Sequence, residues 1–237
     1  MIKKSIDNKL ICIIPARGGS KRIPRKNIRD FLGKPIIAYS IEVALKSNLF
    51  DEVVVSTDDE EIASIAIKYG ASVPFLRSKK NSDDYATTAD VINEVLLEYK
   101  KSGKEFEYFC CLYPTAPLVI VEKIKEAFDI LKTNIFDSVL PVVKFSYPIQ
   151  RALYVDDDLV KMIAPENLNK RSQDLPETYH DCGQFYFMKT EIFLKQKELF
   201  VEKSTSLVIS EMEVQDIDNE DDWEIAELKY KILNKLS

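Results

Sequence analysis

Apolar residues along this chain fall into two patterns: short unbroken runs, and longer stretches in which they recur every three or four positions. Leu10-Ile11-Cys12-Ile13-Ile14 is an unbroken run, the mark of a strand buried on both faces. From Pro35 to about Ser47, Ile37, Ile41, Ala44 and Leu45 follow helical spacing, with Pro35 suited to the helix start and Asn48 to its C-terminal cap. Val53-Val54-Val55 predicts a second buried strand. Thr57 and Glu60 have the spacing of a capping box and open a helix that runs to Gly70. Val73-Pro74-Phe75-Leu76-Arg77 reads as a short edge piece, because Pro74 cannot donate to a central ladder.

Thr87 and Asp90 repeat the capping-box spacing ahead of the stripe Ile92, Val95, Leu96 and Tyr99. Glu107 to Tyr113 predicts a strand, which Pro114-Thr115-Ala116-Pro117 stops in an extended turn. A helix over Val121–Lys132 and a strand over Asp137–Val143 follow. From Lys144 to His180 the periodicity loosens around the acidic turn Asp156-Asp157-Asp158, and a long irregular insertion in a compact domain usually has a function. The last helix carries Trp223, Ala226, Tyr230 and Leu233 on one stripe. Strand and helix alternate, which predicts an α/β fold: a mostly parallel sheet with helices on both faces, right-handed crossovers, and ligands at the carboxyl ends of the strands.

Length and charge narrow the class. With 237 residues, 46% hydrophobic and 30% charged, the chain suits one globular domain over 1–237. A net charge of -6 argues against bulk nucleic-acid binding. The four cysteines, Cys12, Cys110, Cys111 and Cys182, lack metal-ligand spacing and read as reduced core thiols, so a cytoplasmic protein is expected. The first nine residues lack a signal-length apolar region, and no membrane role is expected.

Two segments carry chemistry. Directly after the first strand come two glycines and five cations, Arg17, Lys21, Arg22, Arg25 and Lys26, with no acidic residue between them. Glycine backbone N–H groups and basic side chains together suit a polyphosphate, so a nucleoside triphosphate is the expected ligand. The phosphate loop of nucleotide-hydrolysing folds is excluded, because Arg22 and Pro24 follow Lys21 where a helix would have to begin. The second segment is Val214-Gln215-Asp216-Ile217-Asp218. In extended chain Asp216 and Asp218 point the same way while Ile217 packs inward, so the carboxylates form a candidate Mg²⁺ site. The alternative is that Asp218, Glu220, Asp221 and Asp222 only form an acidic helix start. The lone histidine, His180, suits a hydrogen-bonded neutral role. Two readings also stand for Ser56-Thr57-Asp58-Asp59, as a helix cap or as a strand end facing substrate.

The run Ile14-Pro15-Ala16-Arg17-Gly18-Gly19-Ser20-Lys21-Arg22, continued by Pro24, Lys26 and Asn27, resembles the signature loop of the CMP-acylneuraminate synthetases, the cytidylyltransferases of nonulosonic acids. The resemblance extends over nearly the whole chain. It implies a Rossmann-like nucleotidyltransferase fold with an inserted dimerisation arm over about 144–183, a homodimer, and transfer of CMP from CTP to a nonulosonic acid with release of pyrophosphate. Implied nucleotide contacts are Ala16, Arg17, Gly18, Gly19, Ser20, Lys21, Lys26, Asn27, Arg77 and Thr87, with Thr88 as the alternative one residue on and capping as the other reading of Thr87. Implied catalytic groups are Arg17, Lys21, Lys26 and Asp216, with Mg²⁺ at Asp216 and Asp218. The proton of the nucleophile goes to Asp216 or to a metal-bound hydroxide.

Implied sugar contacts are Tyr113, Thr115, Gln150, Arg151 and Gln184. Tyr113 and Val119 replace the family's glutamine and arginine at the Pro114–Pro117 turn. Together with Tyr147-Pro148-Ile149-Gln150-Arg151 and His180-Asp181-Cys182-Gly183-Gln184, they resemble the pseudaminic-acid branch. N-acetylneuraminate, legionaminate and Kdo are the alternative acids, and a nucleotide sensor without turnover is the non-enzymatic alternative.

Overall fold

In the computed structural model, residues 9–83 and 85–236 are described; the N-terminal stretch read for a leader, Asp84 in the run before Thr87, and Ser237 lie outside them. Strand β1 (Leu10–Pro15) leads through the basic loop into a small hairpin of β2 (Asp30–Phe31) and β3 (Lys34–Pro35). Leu32 and Gly33 turn this hairpin with φ of 51° and 97°. Helix α1 (Ile36–Ser47) ends on Asn48 in the left-handed conformation, as its sequence predicts. Strand β4 (Glu52–Ser56) and helix α2 (Glu60–Lys68) follow. The cap of α2 is Asp59, whose side chain accepts from Glu61 N and Ile62 N, rather than Thr57; Thr57 Oγ1 instead accepts from Asp59 N. Residues 73–77 form no strand, and only Ser72 bridges to Val54.

Helix α3 (Thr88–Lys101) carries the expected capping box, with Thr87 and Asp90 satisfying each other's backbone. Strand β5 (Tyr108–Leu112), helix α4 (Val121–Lys132) and strand β6 (Ser138–Lys144) match the sequence pattern. The irregular stretch contains an exposed hairpin of β7 (Leu153–Asp156) and β8 (Leu159–Met162), and returns through β9 (Tyr179–Asp181). Strand β10 (Phe185–Lys189), helix α5 (Thr190–Gln196), strand β11 (Ser204–Val208) and helix α6 (Glu220–Asn234) complete the chain.

The main sheet has seven strands in the order β11-β6-β10-β5-β1-β4, with β9 paired to β6. β1 is parallel to β4 and β5, and β11 to β6, whereas β9 and β10 run antiparallel to their neighbours. The expected mostly parallel order therefore holds for five strands, with β10 reversed at its centre. One face of the sheet buries Ile37 and Ile41 of α1, Ile62 of α2 and Ile124 and Phe128 of α4. The other buries Ile92, Val95 and Tyr99 of α3 and Phe193 of α5. All four cysteines are buried and unpaired. Among the described residues no helix is long and apolar enough to cross a membrane.

A third apolar cluster lies beside the carboxyl ends of the strands and positions the site. Ile23, Phe31, Ile36, Tyr39, Ile217, Trp223 and Ala226 are buried together. Phe31 meets Trp223 edge to face at 5.5 Å, and Arg29 lies over the Trp223 ring at 4.6 Å while pairing with Glu220 at 2.7 Å. Leu233, expected on the buried stripe of α6, is 41% exposed.

Candidate active site

The basic loop is shaped from both ends. At its start, Ala16 N donates to Ser56 O at 2.9 Å, which seats the loop beside the end of β4. Near its other end, the buried Asn27 donates through Nδ2 to Arg17 O at 2.9 Å, and the loop closes on itself. Asn27, implied as a nucleotide contact, thus spends this donor on the loop. Arg25 adopts φ 56° and turns its guanidinium onto both carboxylate oxygens of Asp59, and onto Glu61 at 2.5 Å. That is a correction: Arg25, expected among the phosphate-binding cations, is a brace between the loop and α2. Its guanidinium, with burial opposing and the α2 N–H groups assisting, holds the Asp59 carboxyl at about 2. Gly18 passes so close to this brace that a Cβ there would sit 2.8 Å from Asp59 Oδ2, and its N–H donates to Asp58 Oδ1 at 3.0 Å. Gly19 has open space around it, so packing does not demand glycine at the second position.

Two cavities open on this loop. One, of about 200 Å³, is lined by Pro15, Arg17, Ser20, Lys21, Arg22 and Lys26 with Asn27, Pro114 and Thr115. The other, of about 270 Å³, is lined by Arg77, Asn81, Asp83, Thr87, Thr88, Val91 and Tyr113, and shares Pro15 and Arg17 with the first. The two are compartments of one cleft at the carboxyl ends of β1, β4 and β5, where parallel sheets bind ligands. A larger groove of about 420 Å³ between α1, α4 and α6 interleaves lysines and glutamates and shows no comparable convergence of cations.

In the second compartment Arg77 is buried, with Nε donating to Ser56 Oγ at 3.1 Å and Nη2 to Ser56 O. Burial pushes its pKa down while Asp58 and Glu94 oppose the shift. Arg17 Nη1 reaches Asp83 O at 3.4 Å. Thr87 is committed to its cap: Oγ1 donates to Asp90 Oδ2 at 2.7 Å and accepts from Asp90 N at 3.1 Å. The neighbouring Thr88, the alternative to Thr87 one residue on, brings its hydroxyl within 3.3 Å of the Tyr113 hydroxyl. Within Ser56-Thr57-Asp58-Asp59 the two readings divide: Asp59 is the cap, and Asp58 faces the basic loop, accepting from Gly18 N.

Asp216 and Asp218 lie in a segment without regular secondary structure, with Ile217 buried between them as the alternation predicts. The helix start is separate from them: Asn219 caps α6, and Asp222 completes its capping box. Asp222 Oδ2 also accepts from Asp218 N at 3.0 Å. Lys229 braces the approach, donating to Glu211 O, Val214 O and Gln215 Oε1 at 3.0, 2.7 and 3.1 Å. Although Asp216 is exposed as a residue, the surrounding chain desolvates its carboxyl, and with the like charge of Asp218 this raises its pKa. The basic loop meets this segment directly. Lys26 Nζ donates to Ile217 O at 2.6 Å, and Arg22 Nη1 pairs with Asp218 Oδ2 at 2.7 Å. Burial pushes Lys26 down, against the pull of Asp218 and Asp216.

Two of the implied sugar residues line the cleft: Thr115 with the basic loop and Tyr113 with Arg77. Gln184 is buried behind them, its backbone oxygen accepting from Tyr113 N at 2.8 Å and its Nε2 donating to Glu213 O at 2.7 Å. Gln150 and Arg151 line neither compartment. Gln150 donates through Nε2 to Pro176 O at 3.0 Å, and its buried Oε1 has no hydrogen-bond partner among the described residues. Arg151 is exposed. His180 Nδ1 lies 2.9 Å from Asp181 O, in the hydrogen-bonded role expected of it.

Known proteins share this arrangement of sequence and fold. A family model described as cytidylyltransferase matches residues 11–230. A pseudaminic acid cytidylyltransferase of Campylobacter jejuni is 46% identical over 225 residues, covering 94% of this chain and 97% of the relative. A CMP-N,N'-diacetyllegionaminic acid synthase of Legionella pneumophila is 33% identical, covering 92% of this chain and 95% of that one. Among solved structures, a CMP:2-keto-3-deoxy-manno-octonic acid synthetase complexed with CTP superposes with a TM-score of 0.71. At 16% identity over 96% of this chain and 100% of that one, it shows a shared fold.

Proposed function

The chain belongs to the cytidylyltransferase family, and we propose that it transfers CMP from CTP to a nine-carbon nonulosonic acid, pseudaminic acid, with release of pyrophosphate. The observation that carries this reading is the convergence on one cleft of Arg17, Lys21, Lys26 and the buried Arg77, with the Asp216–Asp218 segment, which lines neither compartment, tied to the basic loop through Lys26 and Arg22. The identity to the Campylobacter jejuni enzyme supports the choice of acid.

In this reading the cytosine and ribose occupy the compartment of Arg77, Thr88 and Tyr113. Arg77, anchored by Ser56, offers its remaining guanidinium N–H groups to the base. The triphosphate lies along the basic loop, where Arg17, Lys21 and Lys26 hold the charge that grows on the departing pyrophosphate. The anomeric hydroxyl oxygen of the acid forms a bond to the α-phosphorus as the bond from that phosphorus to the bridging oxygen of the β-phosphate breaks, the hydroxyl proton passing to Asp216. Thr115 and Tyr113 form the floor on which the acid is oriented.

The donor set fits a divalent cation, Mg²⁺ in this reading, held by Asp216 and Asp218: both are hard carboxylate oxygen donors, two residues apart on either side of the buried Ile217. Among the described residues no group of three or more His, Cys, Asp or Glu is arranged to hold a metal, and an ion held by this pair would take its remaining ligands from outside the protein. Such an ion supplies charge neutralisation at the phosphate oxygens.

We assign residues 144–183 to the single domain over 1–237 as a dimerisation excursion. Leu153, Val155, Leu159 and Val160 are each at least 60% exposed on the β7–β8 hairpin, an apolar surface suited to a second copy of the chain. Arg151, which lines neither compartment of its own chain, then meets the acid's carboxylate in the partner's cleft. A cytoplasmic setting fits the four unpaired thiols.

The direct test is pyrophosphate release from CTP with pseudaminic acid, N,N'-diacetyllegionaminic acid, N-acetylneuraminic acid and Kdo. Release with pseudaminic acid above the others is expected. Preference for another acid replaces the substrate, and CTP binding without release with any of them replaces the enzyme by a sensor.

A further inference from the structure

Arg22 stands in two places at once. It lines the compartment of the basic loop, and its Nη1 is paired with Asp218 Oδ2 at 2.7 Å. Both side chains are open to water, 71% exposed for Arg22 and 38% for Asp218. An ion pair of this kind contributes little to stability, because solvent screens it and two flexible side chains lose freedom to form it. What is weak as a support is well suited to exchange. Around it the fixed contacts are of a different kind: Ile23 and Ile217 are buried, and Lys26 Nζ holds Ile217 O from the basic side. The backbones of the two loops are therefore held together whether or not Arg22 keeps its partner.

We propose that Arg22 is a placeholder cation: without ligand it occupies the Asp218 carboxylate, and when a nucleoside triphosphate arrives with a divalent cation it releases Asp218 to the cation and moves onto the triphosphate. This rests on the metal reading of Asp216 and Asp218 given above. Its logic is charge balance. Two neighbouring carboxylates facing a triphosphate would repel it, and a guanidinium beside them lowers that repulsion during approach. Once the divalent cation sits between carboxylates and phosphates the guanidinium is no longer needed there. A fork of N–H donors within the same compartment is then released toward phosphate oxygens.

The placeholder predicts opposite shifts from one substitution, which a merely structural arginine would not give. In Arg22→Gln, Mn²⁺ titrated into protein without nucleotide and followed by electron paramagnetic resonance should bind about two- to fivefold more tightly than in wild type, since no guanidinium competes for Asp218. CTP titrated calorimetrically in the absence of metal should bind roughly fivefold more weakly. Arg22→Lys, which keeps the charge, should stay close to wild type in Mn²⁺ binding. Unchanged Mn²⁺ affinity in Arg22→Gln, or both affinities moving the same way, overturns the proposal while leaving the metal site standing. Wild-type protein that binds no Mn²⁺ with or without CTP overturns the metal site and the placeholder together.

Discussion

Ile23 and Ile217 have no chemistry of their own, yet they decide where the chemistry lies. Ile23 follows Arg22 and Ile217 lies between two aspartates, and with both buried in the cluster with Phe31 and Trp223, Arg22 meets Asp218 and Lys26 meets Ile217 O. The carboxylate pair was legible in the sequence because extended chain repeats every two residues. The fate of the cations was not: five similar charges in one loop do not reveal which carboxylates fold against them, so the diversion of Arg25 onto Asp59 and Glu61 appears only in three dimensions. The same limit applies to Thr87 and Thr88, where a shift of one residue separates a cap from a cleft wall. If Asp216 holds Mg²⁺, Asp216→Asn should cut kcat/KM by about 100-fold or more and need much more Mg²⁺ for half-maximal rate, with thermal stability little changed. Asp221→Asn, in the first turn of α6, removes an equal charge and should cost only about 0.3–1 kcal/mol of stability. Rate against Mg²⁺ concentration separates them; superimposable curves would reduce the acidic run to a helix start.

Among the elements, those with a long period and a local cap were legible. α3 announces itself through Thr87, Asp90 and its stripe, and α4 through its apolar spacing. The hairpin β2–β3 and strand β11 were not, because a two-residue strand has no period and Ser204-Thr205-Ser206 acquires its role only by pairing with β6. At α2 the expected cap Thr57 lost to Asp59, which satisfies two helix N–H groups and Arg25 together. That makes the start of α2 sensitive to acid. The Asp59 carboxyl is held at about 2 against an ordinary 3.8, so its stabilisation is complete above the ordinary value and disappears as pH falls through the folded one. After allowance for the solvent exposure of Arg25, Asp59→Asn should lose about 1 kcal/mol at pH 7. The difference from wild type should shrink toward zero near pH 2. Denaturant midpoints across that range check it, and a pH-independent difference would mean that the brace is not electrostatic.

For the molecule as a whole, the alternation of strand and helix was enough to read an α/β fold, and β4, β1 and β5 lie as that pattern requires. The reversal of β10 was not readable, since its neighbours β5 and β6 are distant in sequence and a buried strand looks the same in either direction. The excursion was legible as an interruption, though its hairpin was not; Asp157 and Asp158 turn it with φ of 45° and 62°. If that surface pairs two copies, the protein should run as a homodimer in light scattering. Mixing inactive Lys26→Ala with inactive Arg151→Ala should restore activity in hybrid dimers, because one composite cleft then has both residues. A fully active monomer would contradict this.

The measurement that bears most directly on the central claim is a competition. With limiting CTP and Mg²⁺ and equal amounts of pseudaminic, N,N'-diacetyllegionaminic, N-acetylneuraminic and 2-keto-3-deoxy-manno-octonic acids, the CMP-sugars are separated by chromatography and counted against pyrophosphate. CMP-pseudaminic acid should form in clear excess, with one pyrophosphate for each CMP-sugar. A product dominated by another acid, or pyrophosphate without a CMP-sugar, would contradict the account.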